Sequence, residues 1–346
     1  MNLRLLLTTC CALTTCGVHA CPHLCSCSFS PSGAEVECSD TSMTSFPVDA
    51  LPPNSTRLSI QSTQLSTIKS AHLSAVPLLR TLQLYHNKLE KLPWDLLTNA
   101  SQLTTLDLTG NHLVRLPAKI FKQKSLRKLL LKDNLLEEAD ADWFVDNSSL
   151  ILLDISGNHL SHIPSAFLHK LKHLQHLDLS HNNLEELQAG ALKNLHHLDT
   201  LNLARNKLSA LNPSLFNHTR KLSRLFLQEN HLRELQPTLL LGLQRLQMLL
   251  LNQNQLQHLP QGLLDGRNST FQMVLTGNPW QCDEKMEYLW RWLNDHPHNV
   301  FFLDEVTCAG PETLKNRPVV SLTEQELGLA RNDDFVKDEL PHFLEK

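Results

Sequence analysis

The chain has 346 residues, of which 41% are hydrophobic and 19% charged, and its formal net charge is −4. That much apolar material supports a large core and excludes an intrinsically disordered chain. A weakly acidic balance excludes a protein drawn to nucleic acid by its overall charge.

Residues 1–20, MNLRLLLTTCCALTTCGVHA, place a basic Arg4 and a short apolar stretch ahead of Val18, Ala20 and Cys21. This is the layout of a cleavable secretory signal, so a mature chain starting near Cys21 is predicted. A lipid-bearing Cys21 is the alternative, but His19 suits that signal poorly and lipidation would leave five thiols. Of nine cysteines, Cys10, Cys11 and Cys16 fall in the signal, leaving Cys21, Cys25, Cys27, Cys38, Cys282 and Cys308. An even set fits disulfide pairing in an oxidising compartment. No later run reaches the roughly 18 apolar residues of a membrane span. The charged ending HFLEK does not fit a lipid-anchor tail, and the KDEL at Lys337 to Leu340 is internal. The expected location is the extracellular space.

The first four of these cysteines lie in residues 21–52, expected to form an N-terminal cap. From 53 to 276 one pattern, LxxLxLxxNxLxxL, recurs. Its asparagines stand at 87, 111, 134, 158, 182, 206, 230 and 254, with Thr63 in the slot before them and Asn278 in the slot after. Every step is 24 residues except 111 to 134, which is 23. A period in this range is that of a leucine-rich repeat. The predicted fold is an α/β solenoid, a leucine-rich repeat horseshoe with a parallel inner sheet, one degenerate and eight full repeats, and a disulfide-stabilised cap at each end. In each LxL the two leucines share one face of a strand and the residues between them the other. No single unit buries its leucines alone, so stacking is what removes them from water. The asparagine amide is expected to satisfy backbone groups of neighbouring coils, and Thr63 can do only part of this.

The outward column of the sheet reads Ser59, Gln83, Asp107, Leu130, Asp154, Asp178, Asn202, Phe226, Leu250, Val274. Beside it run Lys128, Leu152, His176, Thr200, Arg224 and Met248. Asp107, Asp154 and Asp178 form an acidic centre that would suit a basic partner, although a merely solvated polar face explains it as well. Phe226, Met248, Leu250 and Val274, beside Arg224, form an apolar patch, and outward apolar side chains on adjacent strands point to a partner site unless the curved sheet or the cap covers them. His176, Asp178, His181 and Asp154 converge well enough to raise a metal site. With 19 histidines in the chain, coincidence is the better account, and no metal or other cofactor is expected. No phosphate loop, nucleophile elbow or HExxH occurs, so an enzyme is not expected. Sequons stand at Asn54, Asn99, Asn147, Asn217 and Asn268. All five fall in the stretch returning to the next strand, so N-linked sugar would cover one edge of the arc and leave the inner face bare.

Residues 277–323, opening GNPWQCDEKMEYLWRWL, are expected to close the far end. Trp280 takes the leucine slot after Asn278, and Met286, Leu289, Trp290 and Leu293 fall at helix spacing, as the buried face of a short amphipathic helix would. A Cys282–Cys308 bond would tie the following loop back onto that helix, contributing roughly 2–4 kcal/mol. Residues 324–346 hold seven acidic and three basic residues and read as a solvated acidic tail, in which DDFVKDEL could form a short docking helix.

The stretch CPHLCSC with Cys38 resembles the N-terminal flank of extracellular leucine-rich repeat proteins. The resemblance implies the pairs Cys21–Cys27 and Cys25–Cys38. GNPWQC, WRWL and CAGP resemble the C-terminal flank of the same proteins, which usually holds four cysteines. Here Glu284 stands where the second is expected and none follows Cys308, so one bridge is missing as a unit. The two-cysteine cap, the eight repeats and the lack of an anchor together resemble a secreted plasma glycoprotein of this family over residues 21 to 323. The resemblance implies a protein-binding role in extracellular signalling, in the TGF-beta pathway, angiogenesis and inflammation, with the TGF-beta receptor complex or cytochrome c as partner. A structural matrix protein of the small leucine-rich proteoglycan type is the alternative, but Ser32-Gly33 and Ser156-Gly157 lie in the cap and a repeat rather than in an exposed tail.

Overall fold

A computed structural model describes residues 21–329. The secretory signal read in residues 1–20 and the acidic tail beyond 329 lie outside the described residues. A hairpin of β1 (Cys25–Ser30) and β2 (Gly33–Cys38) opens the fold, and β2 pairs in parallel with β3 (Ser55–Ile60). Nine short strands follow, each centred on the LxL of one coil: β4 (Thr81–Gln83), β5 (Thr105–Asp107), β6 (Lys128–Leu130), β7 (Leu152–Asp154), β8 (His176–Asp178), β9 (Thr200–Asn202), β10 (Arg224–Phe226), β11 (Met248–Leu250) and β12 (Gln272–Val274). Consecutive strands pair in parallel and without slippage, so residues one repeat apart stand side by side. Short helical turns, including α1 (Ser70–Ser74) and α2 (Ser165–His169), bring the chain back to the next strand.

The leucines do what their spacing dictates. Leu106, Leu108, Leu201 and Leu203 are fully buried, as are the first leucines of their coils, Leu103 and Leu198. The outer wall of the core carries the larger rings: Phe121, Trp143, Phe144 and Phe167 pack on one another, with centroids 5.4 to 5.5 Å apart. Each ladder asparagine is buried and spans two coils. The Asn182 amide donates to the carbonyls of Ile155 (3.0 Å) and Leu179 (3.1 Å), and its oxygen accepts from the Leu160 amide (3.0 Å). Thr63 reproduces part of this. Its hydroxyl donates to Asn87 Oδ1 (2.6 Å) and accepts from the Leu65 amide (3.1 Å), but it reaches no carbonyl.

At the N-terminal end Cys21 is bonded to Cys27 and Cys25 to Cys38, across and beside the β1–β2 hairpin. At the other end Trp280 is buried in the leucine slot, and its indole donates to the Leu275 carbonyl at 3.1 Å. Trp280 also opens β13 (Trp280–Gln281), which pairs with β15 (Cys308–Gly310), and Cys282 is bonded to Cys308. The closing helix, α3 (Glu287–Asp295), buries Leu289, Trp292 and Leu293. Helix spacing put Trp290 on the buried face, and the packing of α3 differs. Trp292, not Trp290, faces the core, stacked on His296 and edge-on to Phe271. Trp290 is half-buried, donates to the Leu322 carbonyl at 3.0 Å and lies under the Arg291 guanidinium. Residues 319–322 lie against this side of α3 and cover Trp290, in place of the repeat core that helix spacing assigned to it. The main sheet then gains a last strand from the cap, β14 (Val300–Phe301), paired in parallel with β12.

Candidate functional site

Because register is kept from strand to strand, the concave face is a grid whose columns can be read off the pairing. In the central column Asp154 stands beside Asp178, Asp178 beside Asn202, Asn202 beside Phe226, Phe226 beside Leu250, and Leu250 beside Val274. The pairing of β12 with β14 adds Phe301 next to Val274. Phe226, Leu250, Val274 and the neighbouring Met248 are half-buried, while Phe301 is 44% and Phe302 is 63% exposed. Four adjacent strands therefore present one apolar side chain each, in a row, with Met248 beside them. Phe302 stands at the turn that follows, in a left-handed backbone conformation with φ 56°. Phe301 and Phe302 were beyond the reach of the repeat pattern. The 24-residue period ends at Asn278, and Val300 meets Met273 across 27 positions.

Arg224 does not lean over this row. Its guanidinium bonds Asp199 Oδ2 at 3.0 Å, toward the edge where the chain enters the strand. Burial alone would raise the Asp199 carboxyl. Hydrogen bonds from Ser223, Arg224 and Thr200 outweigh it and hold the group below the usual carboxylate range.

The three aspartates form a less open acidic surface than their spacing implied. Leu130 separates Asp107 from Asp154 in the column. Each carboxylate is also used locally. Asp154 Oδ1 accepts from the Ser156 amide (2.9 Å) and hydroxyl (2.6 Å), Asp178 Oδ1 does the same with Ser180, and Asp107 Oδ1 accepts from the Thr109 amide (2.9 Å). Asp178 Oδ2 further accepts from Asn202 Nδ2 at 2.8 Å. These contacts bind the turn that follows each strand, so the aspartates help build the coils. Burial, together with the charge of Asp178, pushes the Asp154 carboxyl up despite its bonds to Ser156.

Among the described residues, no group of three or more His, Cys, Asp or Glu side chains is placed to hold a metal ion, and His176, Asp178, His181 and Asp154 form no such cluster. No helix among them is long and apolar enough to cross a membrane. The five sequon asparagines, Asn54, Asn99, Asn147, Asn217 and Asn268, are all exposed.

Comparison with known proteins sets this geometry in context. The family pattern described as Leucine rich repeat matches residues 53–113, 124–184, 172–232 and 220–279. Among curated proteins, carboxypeptidase N subunit 2 of Homo sapiens is 40% identical over 57 residues, covering 16% of this chain and 10% of that protein. A phospholipase A2 inhibitor of Gloydius brevicaudus siniticus is 32% identical over 60 residues, covering 17% and 18%. Leucine-rich repeat-containing protein 3 of Danio rerio is 32% identical over 103 residues, covering 30% and 38%. The chain thus spans well under two thirds of the length of each of these relatives. A chain from an octameric complex of Latrophilin 3, Unc5D and FLRT2, in which FLRT2 is represented by its leucine-rich repeat, superposes with a TM-score of 0.74 at 26% identity over 89% of this chain and 99% of that one. A leucine-rich repeat protein of Leptospira interrogans superposes at 0.64 and 26% identity, over 77% and 64%. With the repeat pattern matched over more than half of its length and its asparagine ladder closed coil by coil, the chain belongs to the leucine-rich repeat family.

Proposed function

We propose that this chain is a secreted glycoprotein that binds a protein partner through the C-terminal half of its concave face and so modulates extracellular signalling. The observation that carries the reading is the unbroken apolar row Phe226, Leu250, Val274 and Phe301. Apolar side chains held open to water on four adjacent strands gain free energy when a partner covers them, and aromatic anchors concentrate that gain. In this reading residues 1–20 are a secretory signal, residues 21–52 and 277–323 are caps, and the sequon asparagines carry sugar away from the binding face. The Asp199-bound Arg224 stands on the same strand as Phe226, Asp178 lies two places along the column from it, and Asp154 and Asp107 continue the polar half of the face. The names of the relatives add limited support: one is a phospholipase A2 inhibitor, and another structure contains a leucine-rich repeat within a multiprotein complex.

The finer reading rests on the reduced cap. NPWQCD, LWRWL and TCAGPE, with eight repeats, resemble leucine-rich alpha-2-glycoprotein, which points to the TGF-beta receptor complex, and to cytochrome c, as partners. Affinity capture from plasma, repeated with Phe226→Asp and Leu250→Asp together, tests the site. Loss of the captured partners supports it, and an unchanged set of partners removes the concave row from consideration. Retention on collagen in place of soluble partners would favour a structural matrix role.

A further inference from the structure

The solenoid is nearly neutral overall, yet its two edges differ. The five residues preceding Leu174, Leu198, Leu222 and Leu246 are 169–173, 193–197, 217–221 and 241–245. Together they hold six lysines and arginines, five histidines and no carboxylate. The opposite edge of the same coils, 159–163, 183–187, 207–211 and 231–235, carries Glu185, Glu186 and Glu234 against Lys207 and Arg233, with three histidines. Parallel pairing without slippage sets the basic segments side by side. His173, His197, Lys221 and Arg245 then form a row about 14 Å long at the usual strand spacing.

The first three side chains of this row, and two histidines beside it, lie in contact range. The rings of His173 and His197 stack with centroids 6.2 Å apart, His197 Nδ1 lies 3.2 Å from Lys221 Nζ, and the rings of His196 and His218 meet edge-on at 6.2 Å. Lys172, Lys193, Arg220, Lys221 and Arg245 are exposed, and only the half-buried Lys170 has a carboxylate partner, Asp142 at 3.5 Å. Asp199, the carboxylate at the entry to β9 beside these segments, is occupied by Ser223, Thr200 and Arg224. Lys221 and Arg245 stand on neighbouring coils with no carboxylate between them, and like charges so placed are stabilised when an anionic chain lies along them.

We propose that this edge binds a linear sulfated polysaccharide. Two observations select that class among polyanions. No Phe, Tyr or Trp ring is exposed on the row, so nucleic acid bases would find only imidazoles to stack on, and Leu241 is the only large apolar side chain exposed there, too little to enter a lipid surface. A linear row of point charges and imidazoles suits an extended polymer that carries anionic groups along its length. Segments 169–173, 193–197 and 241–245 hold no sequon, while Asn217 opens the segment 217–221 four residues before Lys221, so the chain is tested with its sugar in place. The ridge is distinct from the apolar row, so this proposal does not depend on the protein partner.

The test is binding of the full glycosylated chain to heparin at about 0.15 M salt, where charge contacts are partly screened. One variant combines Lys172→Ser, Arg220→Ser, Lys221→Ser and Arg245→Ser. A control removes the same charge elsewhere, with Lys88→Ser, Lys91→Ser, Arg115→Ser and Arg233→Ser. The ridge variant is expected to bind roughly tenfold or more weakly, and its slope of log K against log salt to drop by about one per cation removed. The control is expected to match wild type. The proposal is overturned if wild type does not bind, if both variants lose affinity equally, or if single-stranded DNA binds the ridge as tightly as heparin.

Discussion

Asn182 shows how one side chain joins two coils. Replacing it with alanine leaves the Ile155 and Leu179 carbonyls and the Leu160 amide without their partner in a buried site. Asn182→Ala is expected to cost about 3 kcal/mol in urea unfolding, because each buried orphan carries its own desolvation penalty. Thr63→Val removes fewer bonds, since Asn87 Oδ1 keeps the Thr63 amide at 3.2 Å, and should cost about 1 kcal/mol. Equal losses would show that the ladder is not what separates the first coil from the rest. Asp154 makes the opposite case. Its carboxyl is raised above 3.8 in the folded chain, mainly by burial, so the folded state holds the proton more tightly than the unfolded one. Stability contributed at this site therefore falls as pH rises from 3.8 through the raised value. Asp154→Asn keeps an acceptor for Ser156 without the charge. It should melt at or above the wild-type temperature at pH 7, and the difference should vanish below the ordinary carboxylate range. The identity of both residues was plain in the sequence. Whether Asp154 was a free anion or a tied one was not, because the answer lay in where the Ser156 hydroxyl points.

At the scale of elements, the C-terminal cap tests how the open end of a stack is closed. Tyr288 on α3 donates to Asp265 Oδ1 (3.0 Å) and accepts from the Leu264 amide (2.8 Å), which pins the helix to the last coil. Burial, reinforced by Asp265, pushes the Tyr288 hydroxyl up to about 12. Stability held at this site is lost as pH rises from 10 to about 12, since the folded state retains the proton there. With two tyrosines in the chain, absorbance titration should show a phase near pH 12 that is missing in Tyr288→Phe. Removing the single bridge with Cys282→Ser and Cys308→Ser should cost about 3 kcal/mol, as expected for a closed loop of this length. The helix itself was readable from its spacing, and so was a buried tryptophan within it. Which tryptophan was not readable, because residues 319–322 cover Trp290 from a part of the chain with no repeat to predict its place.

Across the whole molecule, stability is a sum of contacts between neighbours, and this is open to test by removing a unit. Deleting residues 174–197 joins His173 to Leu198 and preserves the phase of the repeat. The shortened chain should fold cooperatively, with a lower melting temperature and one strand fewer by circular dichroism. Cutting the chain after residue 279 should instead give soluble aggregates by size exclusion, because it bares a slice of core that α3 covers. If the shortened chain fails to fold, nearest-neighbour additivity does not describe this solenoid.

Period alone determined the architecture. A leucine in most inward slots and an asparagine at the head of every coil but the first admit one way of burying the apolar atoms and satisfying the backbone, and that solution is repeated. The outward columns followed from the same arithmetic, down to Phe226, Leu250 and Val274. Only the tertiary structure decided what each surface offers. Strand pairing carried Phe301 onto the end of the apolar row, short contacts withdrew the aspartates and Arg224 into local bonds, and stacking gathered dispersed lysines, arginines and histidines onto one edge. Burial patterns are periodic and so can be read along a chain. Charge, by contrast, is a property of neighbours in space, and only folding makes those neighbours.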